Sequence, residues 1–384
     1  MSSTKKSNSI AKLIKLKKLE SEGLTFPHAT SRLSGSTEPT KTEWFTEYMG
    51  LRRAVSRNIV SEVEFEKLPQ EAIASESENR IRGALIGCAL GDALGTTLEF
   101  TQPGAFTPID DIVGGGPFGL KAGEWTDDTS MMYCLAHSLV RTNSFDLSDQ
   151  IELYCRWRED GVFSVNGHCF DIGNTVSAAL DRYRQTGDPI SGDTSPMSAG
   201  NGSLMRLAPV PIRYFNDFSK AVELSGKSSL TTHGATEAVD ACRYYGALIW
   251  GGLHGVEKSV LLNGLYSPET GYWNKNPLCE SINLLVTSGS YKAKKAKDIR
   301  ASGYVLHTLE AALWAFENSH SFEEGALMAV NLGEDADTTG AVYGQLAGAY
   351  YGERALPINW IDKVKEAHVF FLKAKELCSL ISSD

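Results

Sequence analysis

A chain of 384 residues, 42% hydrophobic and 22% charged, has the apolar mass for a full core in one large domain or two ordinary ones, which excludes wholesale disorder. Its net charge of −10 is uneven: residues 1–79 carry 12 Lys/Arg against 11 Asp/Glu, so the rest of the chain holds −11, and an acidic body argues against a nucleic-acid surface. No run approaches the roughly 18 consecutive apolar residues of a membrane helix, and the Lys-rich start lacks the apolar centre of a secretory signal. Seven scattered cysteines without a CxxC pair fit reduced thiols, so a cytoplasmic location is expected.

In chain order, residues 1–20 hold six Lys and one acid, with Ile10, Leu13, Ile14, Leu16 and Leu19 loosely on one helical face. Residues 21–41 are Ser/Thr/Pro-rich and read as a linker. Trp44, Phe45 and Tyr48 cluster on a second predicted helix through about Ser56, and a polar segment runs to Asn79. Residues 1–79 thus read as an appended arm for binding a partner. Residues 80–384 have the texture of a compact all-α domain. Apolar residues recur at helical spacing over 131–140, 150–158, 174–184, 234–250, 303–317 and 322–331, with loops expected at 101–126, 160–173 and 190–203.

Two segments carry glycine at every fourth position: Gly83, Gly87, Gly91 and Gly95, then Gly340, Gly344, Gly348 and Gly352. Glycine inside a helix costs about 1 kcal/mol relative to alanine, so the pattern predicts helices whose backbones approach closely along a stripe of small residues. Each ladder adjoins an acidic motif. Thr126-Asp127-Asp128-Thr129 opens the predicted 131–140 helix, and Glu334-Asp335-Ala336-Asp337-Thr338 leads into the second ladder. Capping alone accounts for one acid or threonine at a helix start, but not for two adjacent carboxylates flanked by threonines. Glu99, just past the first ladder between Leu98 and Phe100, is predicted to be half-buried.

Four Asp gathered in one pocket repel one another and need compensation. All-oxygen ligands suit Mg, Mn or Ca rather than Zn, and two such ions could hold substrate oxygens and a water. Two glycine loops could add backbone N–H groups for phosphate: Gly114-Gly115-Gly116-Pro117 and Gly200-Asn201-Gly202-Ser203-Leu204-Met205-Arg206.

The strings GALIGCALGDALG with Glu99, GEWTDDTSM, FDIGNT (170–175), GNGSLMRLAP (200–209), TTHGATEA (231–238) and LGEDADTTGAVYGQLAGAYYG (332–352) together resemble the ADP-ribosylglycohydrolase family, across about residues 80–357. The resemblance implies an all-α fold with a binuclear Mg or Mn centre on Thr126, Asp127, Asp128, Asp335, Asp337 and Thr338. It implies Glu99 at the reacting sugar, and Gly115, Gly116, Gly200, Asn201, Gly202, Ser203, Met205, Arg206 and His233 around ADP-ribose. Either Asp127 or Asp128 would deprotonate the attacking water, and Glu99 would orient the ribose or move a proton. The activity implied is removal of ADP-ribose from modified protein, above all from arginine. Some relatives are immunity proteins that also bind an ADP-ribosyltransferase toxin through an N-terminal extension, a role residues 1–79 could fill. Two other readings are a phosphoesterase using the same carboxylates and a binding protein without turnover.

Overall fold

Ser75 accepts a hydrogen bond from the Glu78 N–H at 3.0 Å and so caps α1 (Glu76–Gly95), the first helix of the body. In a computed structural model that describes Ile73 and residues 75–381, ten further helices of nine or more residues follow. They are α2 (Asp127–Thr142), α3 (Leu147–Asp160), α4 (Asn174–Thr186), α5 (Phe218–Ser229), α6 (Thr236–Leu253), α7 (Glu280–Ser288), α8 (Val305–Glu317), α9 (Phe322–Val330), α10 (Ala336–Tyr351) and α11 (Ala367–Ile381). The expected helices, linker and aromatic cluster of residues 1–56 lie outside the described residues. Among the described residues the only β pairing is three isolated bridges, so the body is all-α as expected. No described helix is long and apolar enough to cross a membrane.

The periodic segments named from sequence became α2, α3, α4, α6, α8 and α9, whereas α5, α7 and α11 were not among them. The body also starts earlier than Arg80. Glu76–Asn79 form the first turn of α1, where Glu78 pairs with the buried Arg82 at 2.8 Å.

The glycine ladders form the centre. α1 and α10 are buried on nearly all sides and run antiparallel. A Cβ on Gly83, Gly87, Gly91 or Gly95 would overlap the carbonyl of Gly348, Gly344, Gly340 or Ala336 respectively. The missing side chains let backbone touch backbone. Gly87→Ala is therefore expected to lower Tm, because overpacking of roughly 1–3 kcal/mol outweighs the helix-propensity gain of about 1 kcal/mol. An unchanged or raised Tm would mean the two helices separate at little cost. α9, α8 and α6 pack on α10, and α11 covers α1 and α2.

Candidate active site

Antiparallel pairing sets the C-terminus of α1 beside the N-terminus of α10. The N-terminus of α2 is brought to the same place by Asp92, which lies on α1 and is fully buried. Thr126, the residue before α2, makes no capping bond of its own. Asp92 caps the helix from outside: it accepts the Thr126 N–H at 2.9 Å, the Thr129 N–H at 3.0 Å, and the hydroxyls of both threonines at 3.0 and 2.5 Å. Burial nevertheless pushes its carboxyl up to about 6.

The Thr126 hydroxyl also lies 3.1 Å from Asp128 Oδ2 and 3.2 Å from Asp337 Oδ2. Its single proton can serve only one of these oxygens at a time. Thr338 Oγ1 stands 3.4 Å from Asp128 Oδ2, and Asn201 Nδ2 donates to Asp335 Oδ2 at 2.7 Å. Asp128 Oδ1, Asp337 Oδ1 and Glu99 Oε2 are buried and meet no hydrogen-bond partner. Burial first, then the neighbouring carboxylates, pushes Asp127, Asp128 and Asp337 well above the usual carboxylate range and Glu99 up to about 10. Dry oxygens without donors, gathered from two helix N-termini, are the ligand set that hard divalent cations fit.

Asp171, which was not among the expected site residues, joins this group. Glu99, Asp171 and Asp337 bring one carboxylate oxygen each within 4.8 Å of one another. Asp171 sits in an irregular loop with a left-handed φ of 58°, where no periodicity could mark it. Burial, then the charge of Asp335, raises its carboxyl to about 7.

These acids border a cavity of about 660 Å³, within the range of small-molecule sites. Glu99, Asp127, Asp171, Asp335 and Thr338 line its acidic wall, and Gly200, Asn201, Gly202, Met205 and His233 line another. Gln345 of α10 holds the second wall from behind: its Nε2 donates to the Met205 carbonyl at 2.6 Å, and its Oε1 accepts the Ala208 N–H at 2.7 Å.

His233 is a buried, uncharged imidazole. Arg206 Nη2 donates to Thr232 Oγ1 at 2.8 Å, and that oxygen is 2.9 Å from His233 Nδ1. The Thr232 oxygen accepts from Arg206 and keeps both a proton and a second lone pair, so it can partner either tautomer of the ring. Burial, reinforced by Arg206, pushes the His233 pKa down to about 3, so the imidazole stays uncharged.

Four of the expected contact residues lie off the cavity lining. Arg206 does not line the cavity. It is fully buried, donating to Gly202 O at 3.0 Å and Thr231 Oγ1 at 3.0 Å with its guanidinium 4.4 Å from the centre of the Tyr154 ring. Ser203 is also fully buried and accepts from the Ser229 hydroxyl at 2.8 Å. Both support the wall from behind. Gly115 and Gly116 lie off the cavity too: Gly115 bridges to Leu120, and Gly116 packs against the Thr96 carbonyl, so tightly that a Cβ would overlap it.

Two helix N-termini converging as a buried oxygen cluster, beside a cavity with a neutral His and a glycine loop, define a helical hydrolase. The chain belongs to the ADP-ribosylglycohydrolase family, whose model matches residues 74–383, and it is an enzyme of that glycohydrolase class. It is 42% identical over 309 residues to ADP-ribosylarginine hydrolase Tri1 of Pseudomonas putida, covering 80% of this chain and 79% of that one. It is 29% identical over 293 residues to the ADP-ribosyl-(dinitrogen reductase) glycohydrolase of Rhodospirillum rubrum, covering 74% and 90%. A solved structure described as an ADP-ribosylglycohydrolase-related protein complex superposes with a TM-score of 0.69 at 39% identity, over 79% of this chain and 99% of that one.

Proposed function

We propose that the enzyme hydrolyses the N-glycosidic bond between ADP-ribose and an arginine side chain of a modified protein, using two divalent ions, Mg or Mn. The observation that carries this is the Thr126 hydroxyl set between Asp128 and Asp337, each with an unpartnered buried oxygen, beside a cavity wall of Glu99, Asp127, Asp171 and Asp335. Thr126, Asp127, Asp128, Asp335, Asp337 and Thr338 would hold the ions, which when bound supply positive charge to ribose hydroxyls and a polarised water.

The chain's own groups do the rest. Glu99 and Asp171 face the anomeric carbon, where carboxylates stabilise oxocarbenium character as the C–N bond breaks. Water delivers hydroxide to that carbon and a proton to the departing guanidine. Asp127 or Asp128 takes the water's proton, and Glu99 orients the ribose or moves the proton to the leaving group. The Gly202 backbone and the His233 ring, both on the cavity wall, supply polar contacts to ADP-ribose.

Product analysis on arginine-, serine- and DNA-linked ADP-ribose, with and without Mg, tests this reading. Free ADP-ribose from the arginine adduct alone is expected; AMP or inorganic phosphate would mean a phosphoesterase instead.

The arm is proposed to bind an ADP-ribosyltransferase toxin, so that the protein acts as immunity in the cytoplasm by reversal and by blockade. Near-balanced charge, a Lys-rich start and the Trp44, Phe45 and Tyr48 cluster support a partner-binding segment. The chain divides between Glu71 and Ala72, so a deletion must spare the Ser75 cap. Removing residues 1–71 is expected to leave turnover and Tm intact and to abolish toxin binding. Loss of turnover in a folded truncation would place the arm in the active site.

A further inference from the structure

The Gly114–Pro117 run, left unused by the catalytic reading, carries Phe118 to the protein surface. Gly114, Gly115 and Gly116 all have left-handed φ, Thr97 Oγ1 donates to the Gly114 carbonyl at 2.9 Å, and Gly116 packs on Thr96, so the loop is fixed against the end of α1. There Phe118 meets Phe100 with ring centres 6.5 Å apart and Phe170 at 5.4 Å, both edge-to-face. Phe100 is 67% exposed and Phe118 37%, and no other phenylalanine or tryptophan stands among the exposed large apolar side chains of the described residues.

Covalent adjacency fixes where this cluster lies. Phe100 follows Glu99 and lines the cavity, and Phe118 and Phe170, the latter next to Asp171 in the chain, extend the cluster outward from it. Phe100 and Asp171 both adopt left-handed φ near 58°, and Phe100 N–H is tied to the Glu334 carbonyl at 2.6 Å. Backbone strain of this kind persists only where the surroundings impose it. The result is an aromatic cluster that joins the cavity at Phe100.

We infer that Phe100, Phe118 and Phe170 form the docking rim for the polypeptide that carries the modified arginine, and that they select an apolar residue beside it. The inference rests on the proposed arginine-linked substrate. With ADP-ribose filling the cavity and its anomeric carbon at Glu99 and Asp171, the acceptor must leave past these rings. Its backbone then comes within one side-chain length of them. Aromatic side chains already held in place anchor interfaces at low ordering cost, and their faces also attract a guanidinium.

The test uses the full chain with Mg and three substrates: free ADP-ribosylarginine and two peptides bearing one ADP-ribosylated arginine flanked by Leu or by Gly. The Leu peptide is expected to show about tenfold higher kcat/KM than the Gly peptide, and Phe118→Ala to erase that preference through KM while changing free ADP-ribosylarginine turnover by less than about twofold. Phe118→Leu, which keeps an apolar side chain, is expected to retain most of the preference. Equal losses on all three substrates, or no preference in the unsubstituted enzyme, would overturn the rim. A fall in solution mass on Phe118→Ala would assign it to a second copy of the chain and overturn it likewise. Absence of ADP-ribose release from every substrate would instead overturn the arginine-linked reading beneath it.

Discussion

Asp128→Ala and Asp337→Ala are each expected to lower turnover on the order of 10³-fold or more, while the helical circular dichroism stays intact. Both side chains are buried, each with one oxygen lacking a partner and the other facing the Thr126 hydroxyl, which keeps Asp92 as an acceptor in either variant. Their carboxyls are pushed upward by burial and then by neighbouring acids. In metal-free protein, removing one therefore relieves repulsion, and Tm is expected to hold or rise. With Mg or Mn added, the unsubstituted protein gains Tm through preferential binding to the folded state, and the variants lose that gain. Asp127→Ala and Asp335→Ala share the activity prediction. Excess EDTA is expected to silence the unsubstituted enzyme reversibly. Full activity in EDTA, or in any two of the four variants, would sink the two-ion centre.

Asp92→Ala is expected to cost both stability and activity. The carboxylate is the acceptor for the buried N–H groups of Thr126 and Thr129 at the start of α2. Leaving a buried donor unsatisfied costs roughly 1–3 kcal/mol each, so the variant should melt well below the unsubstituted protein. The same loss frees Thr126, Asp127 and Asp128 from the geometry that brings them to Asp337. Turnover should therefore fall even at temperatures where the variant stays folded. Asp92→Asn keeps one carbonyl oxygen for the Thr126 N–H but turns an amide toward Thr129, and is expected to recover part of the Tm. If Asp92→Ala instead keeps its Tm while losing turnover, Asp92 acts on the ions rather than as the cap of α2.

The acidic motifs were readable because each combines two local signals. Thr126-Asp127-Asp128 and Asp335-Ala336-Asp337-Thr338 stand where a 3.6-residue apolar pattern begins, and carry more oxygen ligands than capping uses. The glycine ladders were readable because eight helix-weakening residues at one spacing have few explanations other than close approach. The cap from Asp92 was not readable. It joins residues 34 and 37 positions apart, and the only local trace was an Asp inside a ladder. The burial of Arg206 was hidden for a related reason. A glycine loop ending in arginine has the layout of an anion site, but Tyr154, Thr231 and Thr232 surround that guanidinium from distant parts of the chain.

The sequence by itself determined the helical class, the two carboxylate motifs and the family, because short-range periodicity and contiguous strings encode them. Only the tertiary structure decided which glycine meets which carbonyl and that Asp171 completes the acidic group. It alone showed that His233 is buried and uncharged beside Arg206 and Thr232, and that Phe100, Phe118 and Phe170 form one aromatic cluster. Each of these depends on residues from separate segments meeting in space. Burial then sets their protonation and hydrogen bonding, and neither distance nor burial is a property of a local stretch of chain.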